Sequence, residues 1–201
     1  MSAVLTKTHY TAEEYLILER AASSKSEFHN GEIFAMTGAS RKHNLVTGNI
    51  YRELSLQLKN RPCEAYVNDM RVKAADAHSY HYPNITVICG KPQFDDSHVD
   101  TLLNPTLLIE VISPSTEAYD RGGKFAHYRK IPTLREYLLV SQEQAIIERY
   151  HRQGDVWILT EAEGLDATIT LDSIECKLSL REVYDKVLDD VDQESDSKVT
   201  L

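Results

Sequence analysis

Residues Thr106–Ser113 read TLLIEVIS. Leu107, Leu108, Ile109, Val111 and Ile112 form a short apolar run rich in β-branched residues, with Asn104-Pro105 before it and Ser113-Pro114 after it. That pattern predicts a strand buried on both faces. Glu110 interrupts it, and a carboxylate there needs a partner, a proton or a metal, because an unpaired buried charge costs several kcal/mol. Side chains alternate along a strand, so Leu108, Glu110 and Ile112 should face one way and Leu107, Ile109 and Val111 the other.

The surrounding chain has 201 residues and is 42% hydrophobic, which suits one folded domain, placed at 1–187. From Asp185 onward six acids stand against Lys186 and Lys198, and the run DDVDQESDSK predicts an acidic, solvated tail over 188–201. A net charge of −9 argues against coating nucleic acid by bulk electrostatics while leaving room for a local basic patch. No apolar run reaches membrane-spanning length, and MSAVLTKTHYTAEEY lacks a secretory apolar stretch, so a cytoplasmic protein without membrane attachment is expected. Cys63, Cys89 and Cys176 lie far apart without a C-x-x-C pair. They read as small buried hydrophobes in a reducing compartment, with neither a zinc site nor a disulfide framework.

The order of elements follows from local signals. Thr11-Ala12-Glu13-Glu14 is a capping box opening a helix through Arg20. Asn30-Gly31 joins Glu27–Phe28 to Glu32–Met36 as a hairpin. Val46, Ile50, Leu54 and Leu58 repeat at helical spacing between about His43 and Lys59. Strands are predicted at Ala65–Lys73, Tyr82–Cys89 and Thr106–Ser113, with Pro92–Leu103 as a polar surface loop. A helix capped by Asp120 should run to about Lys130, ended by Pro132 and followed by the strand REYLLVS. AIIERYHRQGDVWILTEA reads as a hairpin turning at Gln153-Gly154-Asp155, and Ser179-Leu180-Arg181-Glu182 as a second capping box opening a terminal helix. The sum is a mixed sheet with flanking helices, α/β or α+β.

If the helix after the central strand packs back on the sheet, it delivers Lys124 to Glu110, with Phe125 and Tyr128 on its apolar side. Residue pattern alone leaves two readings open. One is a buried Glu–Lys pair, which contributes little stability. The other is a metal-binding carboxylate beside a lysine that positions water or stabilises charge. His43 falls on the core face of its helix, where a histidine is more often a satisfied core or cap residue than a ligand.

YPNITVICG (82–90) and NPTLLIEVISPSTEAYDRGGKFAHYRKIPTLREYLLV (104–140), together with SEFHNGEIFAM (26–36), the helix at His43 and VNDMRVKA (67–74), resemble the Uma2 family of the PD-(D/E)XK restriction-endonuclease-like superfamily. The likeness extends from about Thr8 to Lys186, and its most specific block is SPST-x(3)-DRG-x-K. It implies a central mixed sheet with an αβββαβ core, and Mg²⁺- or Mn²⁺-dependent hydrolysis of DNA phosphodiesters. Carried over, Glu110 is the central carboxylate and Val111 supplies a backbone carbonyl ligand. The superfamily's lysine position two residues beyond the glutamate is Ile112 here, so Lys124 is its substitute. Glu27 matches an accessory acidic position, and His43 and Asp69 match recurrent positions of less defined role. Arg121, Arg129, Lys130, Arg41 and Lys42 are candidate phosphate contacts.

The departure is Asn84, where the resemblance calls for aspartate as the first metal ligand. Asparagine offers a neutral oxygen, and hard dications gain much of their binding from anionic ones, so metal affinity and catalysis should fall. Two functions are therefore carried forward: a DNA endonuclease, weakened or inactive at Asn84, and a catalytically silent nuclease-fold domain binding nucleic acid or a protein partner. A serine or cysteine hydrolase has no supporting G-x-S-x-G elbow. A homodimer is expected, since cutting two strands suits a twofold assembly.

Overall fold

A computed structural model describes residues 9–74, 78–114 and 116–188. The acidic tail expected beyond 188 lies outside the described residues. α1 (Ala12–Ala21) begins at the anticipated capping box, with the Thr11 hydroxyl and the Glu14 carboxylate each accepting from the other's backbone N–H. β1 (Ser26–His29) and β2 (Glu32–Ala35) form the hairpin. Asn30 and Gly31 both take positive φ, 48° and 90°, which is the reason for an Asn-Gly turn between right-twisted strands. α2 (Arg41–Leu58) is capped by Ser40 and buries Val46, Ile50, Leu54 and Leu58, the predicted stripe.

Next come β3 (Cys63–Val67), β4 (Arg71–Lys73), β5 (Ser79–His81), β6 (Ile85–Cys89), β7 (Thr101–Leu102) and β8 (Leu107–Ile112). A π-helical turn, Tyr119–Lys124, runs directly into α3 (Phe125–Tyr128). β9 (Glu136–Ser141), the hairpin β10 (Ile146–Gln153) and β11 (Val156–Glu163), then β12 (Thr168–Leu171), β13 (Cys176–Ser179) and α4 (Leu180–Val183) complete the chain.

The main sheet has six strands in the order β11-β10-β9-β8-β6-β3, antiparallel except for the parallel pair β8–β9. The crossover through α3 makes that pair parallel. α2, β3, β6, β8, α3 and β9 are the anticipated αβββαβ core. β8 is buried at all six positions. Leu107, Ile109 and Val111 enter a core under α2 and α4, while Leu108 and Ile112 join Tyr128, Tyr137 and Leu139 on the opposite face. The alternation predicted around Glu110 holds.

A second sheet, β2-β1-β5-β4-β7, extends the predicted hairpin with strands not expected to join it. The predicted strand Ala65–Lys73 is two strands in two sheets. The chain leaves the main sheet after Val67, turns at Asn68 with φ 59°, and enters the second sheet at Arg71. Tyr82-Pro83-Asn84 makes the same passage in reverse, and the Asn68 N–H donates to the Asn84 carbonyl at 2.9 Å, tying the two corners together. Thr101–Leu102, expected in a polar loop, is instead buried and pairs with β4.

Three further expectations need correction. Asp120 does not cap a helix; it lies inside the π-helical turn, where the turn begins instead on the Thr116 carbonyl. Gly123 permits this turn, because a Cβ there would come within 2.6 Å of the Tyr119 ring. The Ser179 side chain makes no capping hydrogen bond, and α4 is a single turn. Cys63 and Cys89 form a disulfide. They face each other in the antiparallel β3–β6 register, with Cα atoms 4.0 Å apart, a proximity that wide sequence spacing conceals. Cys176 is buried and free, as anticipated. No helix among the described residues is long and apolar enough to cross a membrane.

Candidate active site

Four buried ionisable groups meet between the two sheets. β1 carries Glu27, β8 carries Glu110, and the π-helical turn carries Asp120 and Lys124. Lys124 Nζ lies 3.1 Å from Glu27 Oε1, 3.2 Å from Asp120 Oδ1 and 3.3 Å from Glu110 Oε1. Every member is at most 8% exposed. An ammonium has three donors, and here three carboxylates surround it. The partner that Glu110 needs is therefore Lys124, brought back over the sheet by the crossover. With that lysine in place, no three acids, histidines or cysteines among the described residues are set to hold a metal ion directly.

Aromatic and backbone groups hold the cluster in place. The Tyr128 hydroxyl donates to Glu110 Oε1 at 3.2 Å, and the Tyr82 N–H donates to Glu27 Oε1 at 3.1 Å. Tyr137 donates to the Asp120 carbonyl at 3.0 Å, fixing the turn from beneath. His81, fully buried, places Nδ1 3.3 Å from Glu27 Oε2 without an aligned hydrogen bond. Its ring packs edge-on against Tyr119 and Tyr128.

The carboxylates titrate very differently. Burial drives the Glu110 carboxyl up to about 8, with Asp120 and Glu27 adding to the shift and Lys124 opposing it. Burial acts in the same direction on Glu27, yet Lys124, His81 and the Tyr82 N–H hold that carboxyl down at about 2. Burial works against the Lys124 charge, but Glu110, Glu27 and Asp120 keep its pKa well above that of an ordinary lysine. At neutral pH the Glu110 carboxyl is therefore mainly protonated while Glu27 and Lys124 are charged.

Asn84 sits beside this cluster with both ends of its amide engaged. Its Oδ1 accepts from the Val111 N–H at 2.8 Å, and its Nδ2 donates to Asn68 Oδ1 at 3.4 Å. His43 is half-buried and lies near the Val111 carbonyl and Asn84. Burial lowers its pKa, against the pull of Asp120. Asp69 is not part of the cluster; its side chain is 83% exposed and pairs with Lys25 at 2.7 Å.

The candidate phosphate contacts divide. Arg121 is bound by Glu117 and Glu148, Lys42 by Glu143 at 2.7 Å, and Arg41 donates to the Lys186 carbonyl at 3.4 Å. Arg129 and Lys130 lie together at the end of α3. Sequence reasoning missed Asp120, His81 and Tyr128 as site residues. The i,i+4 spacing of Asp120 and Lys124 was the available signal for the first. His81 carried none, because its short strand has no pattern of its own.

The fold matches the crystal structure of a "putative nuclease belonging to DUF820" from Anabaena variabilis, with a TM-score of 0.73, 19% identity, and coverage of 89% of this chain and 99% of that one. The chain belongs to the Uma2 family, described as "Putative restriction endonuclease", whose profile matches residues 12–182. Among its relatives, the Synechocystis protein sll1609 is 44% identical over 84% of this chain and 96% of its own length. A second Synechocystis protein, slr1290, is 34% identical over 86% and 90%.

Proposed function

We propose that this protein is a metal-dependent endonuclease cutting DNA phosphodiesters, with Glu110, Glu27, Asp120 and Lys124 as its catalytic centre and activity attenuated by Asn84. The convergence of three carboxylates from three separate elements on the Lys124 ammonium carries this reading. Buried acids are not gathered this way for stability, since the desolvation of each offsets its Coulomb gain.

The donor chemistry fits the expected cation. Carboxylate oxygens are what Mg²⁺ and Mn²⁺ take, and Glu110, Asp120 and Glu27 would hold one, with Asn84 Oδ1 and the Val111 carbonyl as neutral neighbours. When bound, such a cation would polarise a phosphoryl oxygen and offset the charge that builds on it. The protein's own residues do the rest. Glu110 must give up its proton before it can act as an anionic ligand. Lys124, the present counter-charge of the cluster, would orient the attacking water and steady the developing negative charge. Tyr128 keeps Glu110 in its rotamer, and the Tyr82 N–H does the same for Glu27.

A second reading is a catalytically silent domain on the same scaffold, favoured by one observation. The Asn84 oxygen already accepts from the Val111 N–H. Calorimetric titration with Mn²⁺, followed by a plasmid-nicking assay, separates the two. The nuclease reading expects binding and nicking, both abolished in Glu110→Ala and strengthened in Asn84→Asp. Failure of both the protein and Asn84→Asp to bind Mn²⁺ or nick would leave the silent domain as the function.

A further inference from the structure

Several basic side chains elsewhere on this acidic molecule are paired with carboxylates. Arg20 meets Asp96 and Asp100, Arg61 meets Glu175, Lys73 meets Asp95, and Arg149 meets Glu136 and Asp172. The far end of α3 is different. Arg129 and Lys130 close the helix, Arg135 follows in the turn before β9, and Arg152 reaches across from β10. Among the described residues no carboxylate lies within ion-pair distance of Arg129, Arg135 or Arg152, and Asp155 is the one acid lining this place.

The cations are held rather than merely scattered. Arg152 stands directly opposite Trp157 in the β10–β11 register, with its guanidinium 4.8 Å from the centre of the indole ring. Its nitrogens donate to the Arg129 carbonyl and, at 3.3 Å, to the Pro132 carbonyl, so it also satisfies the exposed end of the helix. Its backbone N–H donates to the Arg135 carbonyl at 2.9 Å, which brings the Arg135 charge alongside. Burial and that neighbouring charge lower the Arg152 pKa, with Asp155 opposing. Arg129, Lys130, Arg152 and Trp157 line an open cavity of about 330 Å³.

We infer that Arg129, Lys130, Arg135 and Arg152, braced by Trp157, form a phosphate-binding subsite for the backbone of a nucleic-acid strand whose scissile bond lies at the Glu110–Lys124 cluster. This rests on the endonuclease reading and adds to it where the substrate runs. Lys124 and Arg129 are five residues apart along one helical segment, a rise of about 7.5 Å. The subsite would therefore lie on the same helical segment as Lys124, close enough for one strand to touch both. Guanidinium groups suit this task because their planar donors match phosphate oxygens in pairs.

Trp157 is the chain's one tryptophan, so its emission reports on the subsite alone. The protein is titrated in EDTA with a short oligonucleotide, in single-stranded and duplex form, and separately with inorganic phosphate. The oligonucleotide should change Trp157 emission saturably at concentrations where phosphate does nothing. In the Lys130→Glu/Arg135→Glu variant, affinity at low salt should drop at least tenfold, and the dependence of log K on log salt should become shallower by about two units. Both positions are exposed, so the variant should keep its melting temperature. Oligonucleotide binding with an unchanged Trp157 signal and an unchanged salt slope in the variant would overturn the subsite. Nicking by the same protein in Mn²⁺ without EDTA would then leave the endonuclease reading standing. A response to inorganic phosphate at matching concentrations, without oligonucleotide binding, would also overturn the nucleic-acid occupant, and absence of nicking would then count separately against the endonuclease reading.

Discussion

Replacing Lys124 by methionine tests the physical core of the site. Methionine keeps the length and apolar stem of the side chain but removes the charge that faces Glu27, Asp120 and Glu110 at 3.1, 3.2 and 3.3 Å. Above pH 8, where even Glu110 is ionised, three buried carboxylates would be left without their common partner. Breaking a buried ion pair from one side costs about 3–5 kcal/mol. For a chain of this size that corresponds to roughly 6–20 °C in melting temperature. At pH 5 the penalty should shrink to about 1–3 kcal/mol, because Glu110 is already protonated and Glu27, no longer held at about 2, takes up a proton as well. Urea unfolding at pH 5 and pH 8.5, in EDTA and then in Mn²⁺, measures all of this. Mn²⁺ should restore part of the loss in Lys124→Met at pH 8.5, since a cation that binds only the folded state stabilises it. Losses below about 1 kcal/mol at both pH values, with no response to Mn²⁺, would refute the view that Lys124 neutralises the cluster.

Other perturbations have defined outcomes. Glu110 carries a folded pKa of about 8 against an ordinary 4.5, so the folded state holds its proton more tightly and stability falls as pH rises from about 4.5 to 8; Glu110→Gln should flatten that decline, read from urea midpoints at pH 5, 7 and 9. Glu27 has the opposite sign: its pKa of about 2 gives stability that is present above about 4.5 and lost as pH falls toward 2, so Glu27→Gln should be costly at pH 7 and nearly neutral at pH 2. Asn84→Asp should raise Mn²⁺ affinity at least tenfold by calorimetry while lowering stability in EDTA, because it adds an anion to a crowded site. Cys63→Ser should cost about 3–4 kcal/mol in chemical unfolding under oxidising conditions and nothing in reductant, the chain-entropy value for closing a loop of 26 residues.

How much of the molecule is legible in its sequence depends on whether the signal is local. The Asn-Gly turn, the first capping box and the stripe of Val46, Ile50, Leu54 and Leu58 each depend on neighbours within a turn or two, and each forms as expected. The alternation along β8 suffices to put Glu110 on the correct face. The two corners at Asn68 and Asn84 are hidden because extended residues keep a period of two whichever sheet they join. The Cys63–Cys89 bond is hidden because register is a tertiary property. Asp120 imitates a cap because a carboxylate before a helix usually serves that purpose, and a π-helical turn over two glycines has no periodic signature.

The placement of the lysine explains why a buried cluster of acids is tolerable at all. Ile112 faces the same side of β8 as Glu110 and packs among Leu108, Tyr128 and Tyr137. A lysine there would have to replace an apolar side chain of that cluster. Coming instead from the π-helical turn, Lys124 descends between the sheets and reaches β1, β8 and its own turn with one ammonium. Charge balance points the same way. Glu110 holds its proton to about pH 8, which spares the cluster one negative charge, and the neutral amide of Asn84 adds none. An aspartate at 84 would add an anion beside a cluster that already holds three buried acids. Asparagine therefore suits a site closed around its own lysine, as the three contacts of the Lys124 ammonium show it to be.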